Sequence, residues 1–249
     1  MKRRKKIDIP FLSIIIPFYN EGGRIANLSL LFHYLRQKKF STEVILVNDG
    51  STDESLKLIR KILKQLPPHH FFELISYQMN KGKGFAIKTG MLKAKGDYRL
   101  FTDIDFSTPI EEFDNYLPHL KKFDILIGSR KKRGAKLLMH QPKIREKLGK
   151  GFTKLSQIFL GLNLLDFTCG FKCFSKKAAE EIFRRQRIDR WGFDSEILFI
   201  GKKRGFNIKE MPVTWRDDSN TKVKLPHDII TSLYDLLRIR LNNFKKYYD

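Results

Sequence analysis

The strongest constraint on this chain is a series of apolar runs, most of them followed by a segment with helical spacing. "LSIIIPFY" (12–19), "EVILVN" (43–48), "FFELIS" (71–76), "GDYRLFTD" (96–103) and "DILIGS" (124–129) read as strands. Runs with little polar alternation are expected of strands covered on both faces. Residues 22–37, 53–65 and 84–94 carry helical spacing between them. Ser51 and Glu54 have the spacing of a capping box for the second of these helices, and Gly82 and Gly84 open the third. Thr108, Pro109 and Glu111 mark a further helix, with Pro at its first position. Repeated strand–helix–strand units predict an α/β fold on a mostly parallel, doubly wound sheet. Ligands of such sheets bind beyond the carboxyl ends of the strands.

The second half is less regular. Residues 143–162 predict a helix with Ile144, Leu148, Phe152, Leu155 and Phe159 on one face and Lys143, Lys147, Lys150 and Lys154 on the other. "DFTCGFKCF" (166–174) reads as a strand, 192–205 as a helix and 206–215 as a strand. The last helix, from about 226 to 246, aligns Ile229, Leu233, Leu236, Leu237, Leu241 and Phe244 on one stripe. A core-facing stripe is the commoner explanation for either amphipathic helix, and a membrane interface is the other. With no linker rich in Gly, Ser or Pro and no internal repeat, the expectation is one domain over 1–249. It would carry a basic arm at 1–10 and an amphipathic helix at 226–249.

The net charge of +22 admits nucleic acid, an anionic membrane surface or phosphorylated ligands as partners. No nucleic-acid motif of the usual kinds is present, so no nucleic-acid partner is expected. A basic nucleic-acid-binding protein is the remote alternative. "MKRRKKIDIPFLSIIIPF" imitates a signal peptide, but Pro10, Pro17 and the lack of a small-residue cleavage site argue against one. No apolar run approaches the ~20 residues that span a bilayer, so a soluble or peripheral protein is expected. Cys169 and Cys173, without further Cys or His partners, read as buried thiols in a reducing cytoplasm.

Chemistry gathers at the predicted strand ends: "PFYNE", "NDGSTD", "TDIDFS" and "GSR". Asp103 and Asp105 stand two apart, which on an extended chain points both to one side. Like charges so placed repel unless a cation sits between them. They either face solvent and pair with lysine, or hold Mg²⁺ or Mn²⁺, hard ions that take a few carboxylates plus ligand phosphates. Asp49 is either a turn residue in "NDGS" or an acceptor for a nucleobase N–H, from uracil or guanine alike. Tyr19 can stack on a base, and Glu21 can hold a ribose or base donor. "NKGKG" (80–84) offers Asn80, Lys83 and backbone N–H groups to a phosphate, without the P-loop spacing.

"IIIPFYNE", "VILVNDGSTDES", "NKGKGFAIKTGM" and "FTDIDFSTPIEE" resemble the successive nucleotide-sugar motifs of glycosyltransferase family 2, with its GT-A fold. "GSR", "DFTCGFKCFSKKAAEEIF", "RWGFDSEIL" and "MPVTW" resemble the dolichyl-phosphate glucosyltransferase and polyprenyl-phosphate glycosyltransferase branch. The resemblance spans about residues 11–225. It implies that Pro17, Tyr19, Glu21 and Asp49 line a nucleoside pocket, that Lys83 lies near the donor, and that Asp103 and Asp105 form a D-x-D metal site. Arg130 would face a donor or acceptor phosphate. Asn48 departs from the second Asp of many relatives. The long transmembrane anchor of the eukaryotic enzymes has no counterpart here, so a bacterial-type peripheral enzyme on the cytoplasmic face is expected.

The expected activity is inverting transfer of a sugar, glucose favoured, from a nucleotide-diphosphate donor, UDP-linked by preference, to a polyprenyl phosphate at an anionic membrane surface. The alternative acceptor is a sugar hydroxyl of a surface polysaccharide. A hydroxyl needs a general base, whereas a phosphate monoester is already anionic. Asp194 and Glu196 are the candidates for such a base. Two apart on a helix, they do not share a face, and they could instead be helix-start charges or partners of Arg190. Arg130, Arg133 and Arg145, with Lys131 and Lys132, are expected around the acceptor side.

Overall fold

The computed structural model describes residues 9–65, 71–139, 143–217 and 227–249. Its main sheet has seven strands: β1 (Leu12–Phe18), β2 (Thr42–Asp49), β3 (Phe71–Tyr77), β4 (Tyr98–Phe101), β5 (Ile125–Ser129), β7 (Lys172–Ser175) and β8 (Ile208–Pro212). Their order is β3-β2-β1-β4-β7-β5-β8. β1 is parallel to β2 and β4, and β2 to β3. β7 runs antiparallel between β4 and β5, and β8 is parallel to β5. A two-stranded ribbon joins β6 (Lys136–Met139) to β9 (Thr214–Arg216). The helices are α1 (Leu28–Arg36), α2 (Ser55–Gln65), α3 (Lys83–Lys93), α4 (Lys143–Leu160), α5 (Lys176–Arg185), α6 (Phe193–Lys203) and α7 (His227–Phe244).

Both faces of the sheet are covered, which is why β1 and β2 read as unbroken apolar runs. Successive side chains alternate between two cores. Ile15, Ile45 and Val47 pack under α3, α5, α6 and α7. Ile14, Ile16, Val44 and Leu46 pack under α1, α2 and the segment around Phe113. Burying one Ile or Leu in this way stabilises by about 1.5–3 kcal/mol. Cys169 and Cys173 are free, buried thiols, and burial pushes Cys169 up to about 11.

Several local expectations are corrected. β4 ends at Phe101: Thr102 N–H makes one last bond to the Ile15 carbonyl of β1, and the chain then turns, with Phe106 N–H donating to the Asp103 carbonyl. Asp103 and Asp105 therefore sit on a turn, not on an extended strand. Phe106 completes that turn at φ 47°. The region 22–37 begins as a 3-10 segment (Gly22–Asn27) before α1, and Pro109 precedes a 3-10 segment (Ile110–Asn115) with no side-chain cap. The capping box does not form. Ser51 Oγ instead accepts from Asn20 N–H, Asp53 accepts from Ser55 N–H, and α2 starts at Ser55. The strand expected at 166–174 is formed only from Lys172, and the one at 206–215 splits into β8 and β9. β6 and α5 were not foreseen.

The helical stripes also face differently from expectation. On α7, Leu236 and Ile239 enter the core, while Leu237, Leu241 and Phe244 are exposed. On α4, Ser156 and Leu160 turn inward, while Leu148, Leu155 and Phe159 face solvent. The side chains of Ile144, Arg145 and Ile229, and the basic start of the chain at 1–8, lie outside what the structure describes. Among the described residues no helix is long and apolar enough to cross a membrane.

Candidate active site

The site is built where β1, β2 and β4 end, next to the start of α6. Asn20, at φ 51°, ties the first two strand ends together: its Oδ1 accepts from Thr52 N–H and Asp53 N–H. Glu21 N–H donates to Ser55 Oγ at 2.7 Å, and Glu21 pairs with Arg24 at 2.8 Å. Pro17 is buried within β1, while Tyr19 and Glu21 are half-buried just beyond it.

Asp49 is almost wholly buried, and its carboxylate is occupied by the loop before α3. It accepts from Asn80 Nδ2 at 2.8 Å, Lys81 N–H at 2.8 Å and Gly82 N–H at 2.9 Å. A buried carboxylate costs several kcal/mol unless donors satisfy it, and the loop supplies them. Asn80 and those N–H groups, expected to meet a phosphate, are thus spent on Asp49. Tyr77 is half-buried beside them with its hydroxyl enclosed, and it stays neutral well above the usual phenol range, first through desolvation and then through Asp49. Asn48 accepts from Ser51 N–H and donates to Ser76.

The anchored loop launches α3 with Lys83 at its first position. Lys83 Nζ lies 2.6 Å from Asp103 Oδ1 and 5.6 Å from the centre of the Trp191 ring. Burial alone would lower this ammonium, but Asp103, Asp194 and Asp105 outweigh it and hold it above its usual range. Asp105 accepts from Ser107 N–H at 2.9 Å. Its carboxyl is held above the usual range, first by burial and then by the charge of Asp103. Gly170 makes a cradle for Asp103: a Cβ there would stand 2.1 Å from Asp103 Oδ2.

Two converging carboxylates, one of them resisting ionisation, suit a hard divalent cation. Two are a common protein share of a Mg²⁺ site, the remaining ligands being phosphate oxygens and water. Among the described residues no group of three or more His, Cys, Asp or Glu forms a metal cage without such a ligand. Asp103 and Asp105 are the residues that would hold Mg²⁺ or Mn²⁺.

On the other flank, Arg130 forms a two-pronged pair with Asp166, at 2.8 Å for both Nε to Oδ2 and Nη2 to Oδ1. Its backbone N–H adds a third bond to the same carboxylate, and the guanidinium lies 5.4 Å from the Trp215 ring. Burial would raise Asp166, but Arg130 overrides it and holds the carboxyl at about 2. Arg133 is exposed.

The two acids of α6 part company. Asp194 forms an ion pair with the fully buried Lys172, whose ammonium also donates to the Cys169 carbonyl at 2.6 Å. Burial holds the Asp194 carboxyl above its usual range, although Lys172 and Lys83 pull the other way. Glu196 faces away. It accepts from Arg187 N–H, Ile188 N–H and Tyr248 Oη, and burial pushes it up to about 7. Neither acid has Arg190 as its partner here.

Lys172, Asp166 and Trp191 were missed from sequence. A lysine inside the apolar "GFKCF" was the one available signal: a buried charge needs a partner.

A family model described as glycosyl transferase family 2 matches residues 13–183. The dolichyl-phosphate beta-glucosyltransferase of Dictyostelium discoideum is 32% identical over 252 residues, covering 96% of this chain and 77% of that protein. The Homo sapiens protein of the same name is 30% identical, covering 92% and 75%. Among solved structures, glucosyl-3-phosphoglycerate synthase from Mycobacterium tuberculosis, in complex with Mn²⁺, UDP and glucosyl-3-phosphoglycerate, aligns with TM-score 0.63 at 16% identity. That alignment covers 94% of this chain and 79% of the other. A mannosyltransferase from Pyrobaculum calidifontis, in complex with GDP-Man and Mn²⁺, aligns with TM-score 0.56 at 16% identity, covering 94% and 71%. These neighbours share the GT-A fold with the seven-stranded sheet described above. The chain belongs to glycosyl transferase family 2: it is a glycosyltransferase of GT-A fold, on the branch that resembles the dolichyl-phosphate glucosyltransferases.

Proposed function

We propose that this enzyme transfers glucose from a UDP-linked donor to a polyprenyl phosphate, with inversion at the anomeric carbon, at the cytoplasmic face of a membrane. The names of the relatives support the sugar and the acceptor class. The whole chain, 1–249, would act as one catalytic domain.

In this reading Pro17, Tyr19, Glu21 and the β2 end around Asp49 hold the nucleoside. Asp49 acts chiefly by fixing the loop that delivers Lys83. Asp103 and Asp105 hold Mg²⁺ or Mn²⁺, which when bound neutralises charge on the diphosphate leaving group. Lys83 and Arg130 add fixed positive charge on either side, and pre-set charge of this kind is worth most where water is excluded. An oxygen of the acceptor phosphate attacks the anomeric carbon from the face opposite the diphosphate. The new C–O bond forms as the old one breaks, and the electron pair leaves with the nucleoside diphosphate. No proton need be removed, since a phosphate monoester near pH 7 is already an anion.

The observation that carries this reading is the clamp on Asp194. The α6 carboxylate that borders the site is held by Lys172, so it is poorly placed to accept a proton from a hydroxyl. The test is a matrix of UDP- and GDP-sugars against a polyprenyl phosphate and a free oligosaccharide, with mass detection of products. The expected product is a glucosyl phosphoprenol formed from UDP-glucose and abolished by chelator. Transfer to the oligosaccharide alone would move the acceptor to a sugar hydroxyl.

A further inference from the structure

An amphipathic surface helix usually has one apolar stripe, but α7 has two. Leu236 and Ile239 fill the core. On the outer face Ile230, Tyr234, Leu237, Leu241 and Phe244 recur at alternating spacings of four and three. They stand in solvent, from 49% exposed at Leu237 to 84% at Phe244. α4 packs beside α7 and exposes Leu148, Leu155 and Ile158. Exposed apolar surface of this extent usually marks an interaction site.

The charge around it has one sign. From 230 to 246 the basic residues are Arg238, Arg240, Lys245 and Lys246, and the one acid, Asp235, is buried. On α4, Lys147, Lys150 and Lys154 are exposed, and the one acid from 146 to 160, Glu146, is paired with Lys150 at 2.7 Å. A second copy of this surface would bring cations against cations, which disfavours self-pairing. An anionic headgroup layer supplies the missing partners.

Both helices abut the site. Gly192 lets α7 approach the start of α6: a Cβ there would stand 2.3 Å from Asp235 Oδ2. The preceding Trp191 lies over Lys83. On the other side Lys131, next to Arg130, donates to the Gly149 carbonyl of α4 at 3.2 Å.

We infer that the outer faces of α7 and α4 form one docking surface for an anionic lipid bilayer, holding the site mouth at the headgroup level where a lipid phosphate resides. This rests on the proposed lipid-phosphate acceptor and names the surface that meets the lipid. Apolar side chains enter the headgroup boundary while the flanking cations bind its anions.

The experiment is co-sedimentation of the full chain with vesicles of phosphatidylcholine, with and without phosphatidylglycerol. It is run beside glucosyl transfer to a short, water-soluble prenyl phosphate. The wild type should bind the anionic vesicles and be released by high salt. The double variant Leu237→Ser/Phe244→Ser should bind them at least about tenfold more weakly, with unchanged thermal unfolding and unchanged transfer to the short acceptor. Because the native cysteines are buried, a polarity-sensitive dye can be placed on Phe244→Cys, or on Lys61→Cys of α2 beneath the opposite sheet face. Only the former should shift on adding anionic vesicles. Transfer to the short acceptor without vesicle binding overturns the docking surface and leaves the proposed function standing. Vesicle binding that needs Leu237 and Phe244, without transfer to any prenyl phosphate, supports the surface and sinks the acceptor assignment. Equal vesicle binding by the serine variant, or a dimer dispersed by the same substitutions without vesicle binding, overturns the inference.

Discussion

Two acid pairs in this enzyme have the same sequence spacing and opposite fates. Asp103 and Asp105 sit on a turn where β4 ends, where Lys83 pairs with Asp103 and an incoming cation has to share or displace that ammonium. Asp194 and Glu196 sit on the first turn of α6 and point apart, one to Lys172 and one to the 187–188 backbone and Tyr248. A turn can gather two carboxylates, whereas a helix separates residues two apart by about 200°. Spacing alone therefore says little. What matters is whether the backbone collects the charges and whether their donors come from the protein or from a ligand.

The sharpest way to break this contrast is Asp194→Asn. It strands the Lys172 ammonium, which is fully buried, with one carbonyl partner. Breaking a buried ion pair from one side costs about 3–5 kcal/mol, so denaturant unfolding should show a loss of that size. Lys172→Met/Asp194→Leu should recover much of it. Unchanged stability with abolished turnover would make Asp194 a working acid and erase the difference between the pairs.

Gly170→Ala tests the first pair without touching a charge. The added methyl must displace the Asp103 carboxylate, given the 2.1 Å approach. A misplacement of about 1 Å at a reacting centre costs on the order of 10²-fold. Turnover should fall by about that factor, with a higher Mn²⁺ concentration needed for half-activation. Normal metal dependence would show that the Asp103 position is not critical.

The most gradual effect is expected at Glu196. Its folded pKa, about 7, lies above the ordinary 4.5, so between those values the folded state binds more protons than the unfolded one. Its contribution to stability is full below about pH 4.5 and is lost as pH rises through about 7. At about 1.4 kcal/mol per pH unit across that interval, the loss amounts to at most about 3 kcal/mol. Melting temperatures between pH 5 and pH 8 should fall less steeply for Glu196→Gln than for wild type. Equal slopes would place the titration elsewhere.

The amino-terminal sheet was legible because double burial writes unbroken apolar strands, and the strand ends carry the polar residues that remain. Asp103 and Asp105 stood out as candidates for that reason, although their turn did not: Phe106 adopts φ 47°, and phenylalanine is no turn signal. Roles in the second half depend on partners distant in sequence. Nothing local says that Lys172 meets Asp194, or that Arg130 is gripped by Asp166 thirty-six residues on. The direction of α7 was equally hidden. Its period is the same for an inward and an outward stripe, so hydrophobicity gave the helix but not its exposed face.

The central claim is that the turn pair binds a metal–nucleotide complex and the helix pair does not. Calorimetry of UDP binding, with and without Mn²⁺, measures this on wild type, Asp103→Asn and Asp194→Asn. The account predicts Mn²⁺-dependent binding to wild type and to folded Asp194→Asn, and its loss in Asp103→Asn with no change in thermal unfolding beyond about 1 kcal/mol. Equal Mn²⁺-dependent binding by Asp103→Asn, or loss confined to Asp194→Asn while that variant remains folded, would contradict it.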